Sequence, residues 1–83
     1  MIDPKVYDII VNATPHKLTS DVVTFDEIVE IAFPGHPTGE DFVYSVTFEK
    51  AESKPHDGTL VQGGKVTVRK HGTIFDVTQT NRS

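Results

Sequence analysis

Residues 24–37 read TFDEIVEIAFPGHP, and the short helix encoded there decides the fold. Thr24-Phe25-Asp26-Glu27 has the capping-box spacing: a Thr hydroxyl for the third amide and a Glu reaching back to the cap. Asp26 and Glu27 also suit the positive end of the helix dipole. Phe25, Ile28, Val29 and Ala32 recur at i, i+3, i+4 and i+7, which makes one apolar stripe, with Glu27 and Glu30 pointing away from it. Pro34-Gly35-His36-Pro37 ends the pattern, because neither proline supplies an amide and Gly35 can take a left-handed cap. The spacing predicts a helix of about ten residues.

Everything on either side of this helix reads as strand and turn. Downstream, residues 42–50 alternate, with Tyr44, Val46 and Phe48 on one face and Ser45, Thr47 and Glu49 on the other. Residues 51–58 form a polar loop, 59–61 a short strand and Gln62-Gly63-Gly64 a tight turn. Val66 and Val68 alternate with Lys65, Thr67 and Arg69; His71-Gly72 then turns the chain into a strand over 73–78 that places Phe75 and Val77 together. Upstream, residues 6–11 alternate through Tyr7, Ile9 and Val11. Asn12-Ala13-Thr14-Pro15-His16 reads as a break, since Pro15 cannot donate to a ladder, and residues 18–23 resume as a strand. The first two strands are thus expected to form an antiparallel hairpin with a longer loop. The order is strand, strand, helix, then three strands, nearly all apolar on one face only. A sheet with one wet face and one face under a single helix follows.

Composition fits one small domain spanning residues 1–83, with residues 79–83 expected as a flexible polar tail. A chain of 83 residues buries only about 60–65% of its unfolded surface, which leaves a thin core and little room for a catalytic cleft. There is no cysteine, which excludes disulfides, thiolate zinc sites and cysteine nucleophiles in this sequence. Packing alone must hold the fold, and a cytoplasmic setting is expected. A net charge of -4 argues against a general nucleic-acid binder. No apolar run reaches a membrane-spanning length, and the opening Met1-Ile2-Asp3-Pro4-Lys5 does not read as a signal peptide. No membrane partner is expected.

The residues able to carry chemistry are scattered. His16, His36, His56 and His71 each fall in a turn or loop, none with a second ligand at short spacing, so no metal site is expected. Ser45, His56 and Asp57 contain the residue types of a hydrolytic triad without the strained turn that would present the serine. Asp26, Glu27 and Glu30 are a charged helix face with no apolar pocket to raise a carboxyl pKa. Lys65, Arg69, Lys70 and His71 make a modest basic patch suited to an acidic protein partner. Gly63-Gly64, the only diglycine, lies between two strands and reads as a turn. Neither a catalytic residue nor a cofactor is expected.

Four stretches, IIVNATPHKL at 9–18, TFDEIVEIAFPGHP at 24–37, YSVTFEKA at 44–51 and GTLVQGGKVTVRKHGTIFDVTQTNRS at 58–83, resemble the bacterial multiubiquitin domain family. The helix exit AFPGHP and the final strand GTIFDVT are the most specific parts. The resemblance implies an α+β, ubiquitin-like β-grasp fold: a mixed sheet of about five strands with one helix packed on one face. It also implies a protein modifier without activity of its own, found in tandem copies and encoded beside an activating enzyme, a conjugating enzyme and a deconjugating metallopeptidase. In such modifiers the C-terminal carboxylate is adenylated, passed to a carrier and joined to a target. Gln79, Thr80, Asn81, Arg82 and Ser83 would be the conjugation tail, with Asn81-Arg82-Ser83 standing where the family pattern has diglycine. Lys65, Thr67 and Arg69, with Ile10 as an apolar contact, would form a partner-docking surface on the exposed sheet. The second reading is a non-covalent module that self-assembles or scaffolds its neighbours.

Overall fold

The capping box at Thr24 forms as its spacing requires. Thr24 Oγ1 accepts from the Glu27 amide at 3.2 Å, and Glu27 Oε1 accepts from the Thr24 amide at 3.1 Å. In the computed structural model, which describes residues 5–35 and 42–81, the helix α1 runs Phe25–Ala32. It is eight residues long rather than ten, because Phe33 already leaves helical geometry while its amide still donates to Val29 O. Gly35, at φ +69°, takes the left-handed turn, and its amide donates to Glu30 Oε1 at 3.3 Å. His36 and Pro37, the remainder of the expected stop, lie outside the described residues.

Among the described residues seven strands accompany this helix: β1 Tyr7–Val11, β2 Thr14–Leu18, β3 Val22–Thr24, β4 Phe42–Glu49, β5 Gly58–Leu60, β6 Lys65–Thr67 and β7 His71–Asn81. Five of them form one sheet in the order β2-β1-β7-β4-β5. The central pair, β1 with β7, is parallel and the other pairings are antiparallel. Antiparallel neighbours can be joined by a turn, but a parallel pair needs a crossover. Here the crossover passes through α1, which lies against β1, β4 and β7. Ile28 and Val29 of the helix pack with Ile9, Val11, Val46, Phe48, Phe75 and Val77 of the sheet. This is the β-grasp arrangement of one helix on a mixed sheet.

Three details depart from the sequence expectations. The β1–β2 hairpin turns on two residues, Asn12 (φ +50°) and Ala13 (φ +68°), and not on a long loop. Two positive φ values in succession match the twist of the flanking strands. Pro15 therefore sits inside β2, where the edge position tolerates its missing N–H. The expected strand over 18–23 is divided: β2 ends at Leu18, and β3 pairs instead with β6 in a separate two-stranded sheet. Finally, β7 begins at His71 and continues through Asn81, so three residues of the expected tail are strand.

Among the described residues, one polar side chain sits in the core. Thr73 is fully buried; its hydroxyl donates to Lys50 O and accepts from the Arg69 amide, both at 2.9 Å. Both roles of the hydroxyl are used, so the burial leaves no unsatisfied group.

Candidate functional site

Among the described residues, the end of β7 is set apart by the neighbours it lacks. β1 accompanies β7 only to Val11, opposite Phe75, and β5 accompanies β4 only over Val46, Thr47 and Phe48. Residues 42–45 and 78–81 therefore continue as a two-stranded ribbon beyond the main sheet, with Tyr44 opposite Gln79 and Val43 opposite Thr80. Thr78, Gln79 and Thr80 are exposed.

Asn12 marks the point where the sheet gives way to the ribbon. Its backbone amide donates to Phe75 O at 2.9 Å. Its side chain then acts as one further strand residue: Nδ2 donates to Val77 O at 3.1 Å, and Oδ1 accepts from the Val77 amide at 2.8 Å. Asn is suited to this place because its side chain bonds backbone groups and it tolerates positive φ. Sequence reasoning treated Asn12 as a turn former and missed this clamp, since the bond partner lies sixty-five positions away.

On its inner face the ribbon is held by Tyr44. Its hydroxyl accepts from Gln79 Nε2 at 3.0 Å, and its ring meets Phe33 with centroids 6.0 Å apart. Both strands of the ribbon are uncharged over 42–45 and 78–81. Two-stranded ribbons are marginal in water on their own. Residues 78–81 are thus an extended segment of small and medium side chains, of which 78–80 contribute no buried residue to the core. Of the expected tail, Gln79, Thr80 and Asn81 lie in this ribbon; Arg82 and Ser83 lie outside the described residues.

The expected docking residues divide between two sheets. Ile10, half-buried, lies on the outer face of the main sheet opposite Ile74 and Pro15. Lys65 and Thr67 belong to β6 of the small sheet, and Arg69 follows that strand. The Thr67 carbonyl accepts from the Glu52 and Ser53 amides, which ties β6 to the 52–53 turn. The basic patch is likewise dispersed. Lys70 Nζ stands 5.2 Å from the Tyr7 ring centre, and His71 Nδ1 lies 2.7 Å from Asp8 Oδ2.

The Asp8 carboxyl is held below its ordinary range. The Lys17 ammonium, 2.8 Å from Oδ1, is the largest cause, and the hydrogen bond with His71 is the next. Both partners favour the ionised form. This trio ties β2, β1 and the start of β7 together across the outer face.

The other sequence candidates serve local structure. His56 Nδ1 lies 2.8 Å from Ala51 O, while Asp57 Oδ1 accepts from the Lys50 amide at 3.1 Å. Both bonds close the 50–57 loop and neither engages Ser45. Glu27 closes the helix cap and Glu30 meets the Gly35 amide. Gly63, at φ +83°, and Gly64 form the turn after β5, and a Cβ at Gly64 would lie 2.9 Å from Val61 O. Among the described residues, no three His, Cys, Asp or Glu side chains group as a metal centre needs, and no helix is long and apolar enough to cross a membrane.

Residues 7–81 match the family model described as Multiubiquitin. No curated protein and no solved structure matches the chain. The match spans all seven strands and the helix, including the ribbon at the end of β7. The chain belongs to the multiubiquitin family.

Proposed function

We infer that the chain is a bacterial ubiquitin-like protein modifier whose carboxyl tail is activated and conjugated by partner enzymes. The observation that carries this reading is the overhang of β7, a thin uncharged segment that, among the described residues, pairs with β4 alone. An activating enzyme would join the tail carboxylate to the α-phosphate of ATP and release pyrophosphate. A carrier thiol would then displace AMP, and a target amine would displace the thiol. Each step needs the tail to enter a narrow site, which favours a segment that can leave β4 while the core stays closed. The chain has no cysteine, so it can be thioester cargo but not the carrier. A conjugating enzyme and a deconjugating metallopeptidase complete the set of partners, in a cytoplasmic setting. The domain itself is non-catalytic, and Lys65, Thr67 and Arg69 are contacts for these enzymes on a surface separate from that of Ile10.

Incubation of the full natural protein with its activating enzyme and ATP tests this reading. A carboxyl adenylate or covalent adduct by intact mass supports conjugation, and an unchanged mass rejects it. The ribbon also supports the second reading, a non-covalent assembly unit, because its outer edges over 42–45 and 78–81 have no charge or proline to block strand addition. Light scattering across concentration separates the two, since a strictly monomeric protein excludes assembly.

A further inference from the structure

The main sheet ends at β5, a three-residue edge strand that has no neighbour on its outer side among the described residues. Beside that edge lies an open cleft of about 230 Å³. Phe48, Leu60 and Val66 line it, with Pro55 and Val61 at its margin. Val61 is 64% exposed, the most exposed of the large apolar side chains among the described residues. Gly58 also borders the cleft; a Cβ there would stand 3.4 Å from the largely buried Phe48 ring, so the glycine backbone lies beside the edge of that ring.

The charge of the cleft opposes that of the molecule. The chain carries a net charge of -4, yet the charged side chains lining the cleft are Lys54 and Lys65, with no acid among them. Neither lysine has an acidic partner among the described residues. The volume falls below the ~300–1,000 Å³ usual for small-molecule sites, so the cleft suits one or two side chains of a peptide. An edge strand beside it supplies the backbone on which an extended peptide can lie.

We propose that the cleft beside β5 docks an extended acidic peptide of a partner protein, seating one aliphatic side chain against Phe48 and Leu60 with flanking carboxylates on Lys54 and Lys65. This site lies on the opposite edge of the sheet from β2. The proposal does not depend on conjugation.

The test is amide-resolved NMR of the full chain titrated with a synthetic peptide carrying a central leucine between aspartates. A control peptide has lysines in place of the aspartates. Saturable shifts at Gly58, Leu60, Val61 and Lys65, seen with the acidic peptide and weakened by salt, are expected. The paired substitutions Lys54→Glu and Lys65→Glu, both at exposed positions, should weaken binding about tenfold while leaving the rest of the spectrum in place. Three results would overturn the proposal: no saturable shifts, equal binding of the basic peptide, or shifts confined to the outer face around Ile10 and Ile74. A fourth is movement of the same cleft amides on simple concentration without peptide, which would make a second copy the occupant.

Discussion

The two parts of β7 are one continuous strand in two different settings. Residues 71–75 pair with β1, residues 74–77 already pair with β4, and Thr73, Phe75 and Val77 are buried. Residues 78–81 pair with β4 alone, and Thr78, Gln79 and Thr80 face solvent. Both parts are strand, and both contain β-branched residues. The difference therefore lies in neighbours and burial, as expected where β-propensity reflects packing more than intrinsic preference. The same strand is a core element at Phe75 and an exposed extension over 78–80.

The largest test of this contrast is deletion of side chains on either side of the boundary. Phe75 is fully buried and meets Phe48 with ring centres 6.5 Å apart. Phe75→Ala should lower unfolding free energy by about 3–5 kcal/mol in chemical denaturation. Thr80→Ala, on the exposed part, should stay within about 0.5 kcal/mol. Comparable losses at both sites would remove the distinction.

Thr73→Val comes next. The methyl keeps the volume of the hydroxyl but leaves the Arg69 amide without its bond and frees the Lys50 carbonyl. A loss of about 1–3 kcal/mol is expected by denaturation.

The boundary itself is tested at Asn12. Asn12→Gly keeps the positive φ available but removes both side-chain bonds to Val77, so about 1–2 kcal/mol should be lost. The sharper readout is hydrogen exchange. In the parent chain the Val77 amide should be protected and the amides over 78–81 should exchange through local opening. In Asn12→Gly, Val77 should move into the fast group while Phe75 does not.

The smallest expected effect is at the start of β7. Because Asp8 holds its proton less tightly when folded than at its ordinary pKa of 3.8, its tie to Lys17 and His71 contributes fully above that value. The contribution is lost as pH falls through the lowered folded value. Asp8→Asn should remove this portion of the acid limb in pH-dependent melting and leave the neutral-pH ordering of the two β7 parts unchanged.

Much of the core was legible from local pattern. The helix start followed from Thr24 and Glu27, and the face of β4 from Tyr44, Val46 and Phe48, because caps and strand alternation act between near neighbours in sequence. The turn at Asn12-Ala13 was not, since Ala13 lacks the glycine signal of such turns, and Pro15 reads as a break unless its strand is known to be an edge. β3 and β6 are three residues each, too short for a period to distinguish which sheet they join. The polar run Thr78-Gln79-Thr80-Asn81 reads as a tail because its only strand partner is β4, more than thirty positions away. A still longer separation hid the Asn12 clamp, and the β5 cleft was hidden because its walls come from four separate short segments.

The contrast within β7 matters for function only if the exposed end is used. Intact mass of the full natural protein, incubated with its activating enzyme and ATP and quenched with hydroxylamine, measures this most directly. A carboxyl-terminal hydroxamate, formed only when ATP is present, is the result this account predicts. A chain whose mass stays the same with and without ATP would contradict it.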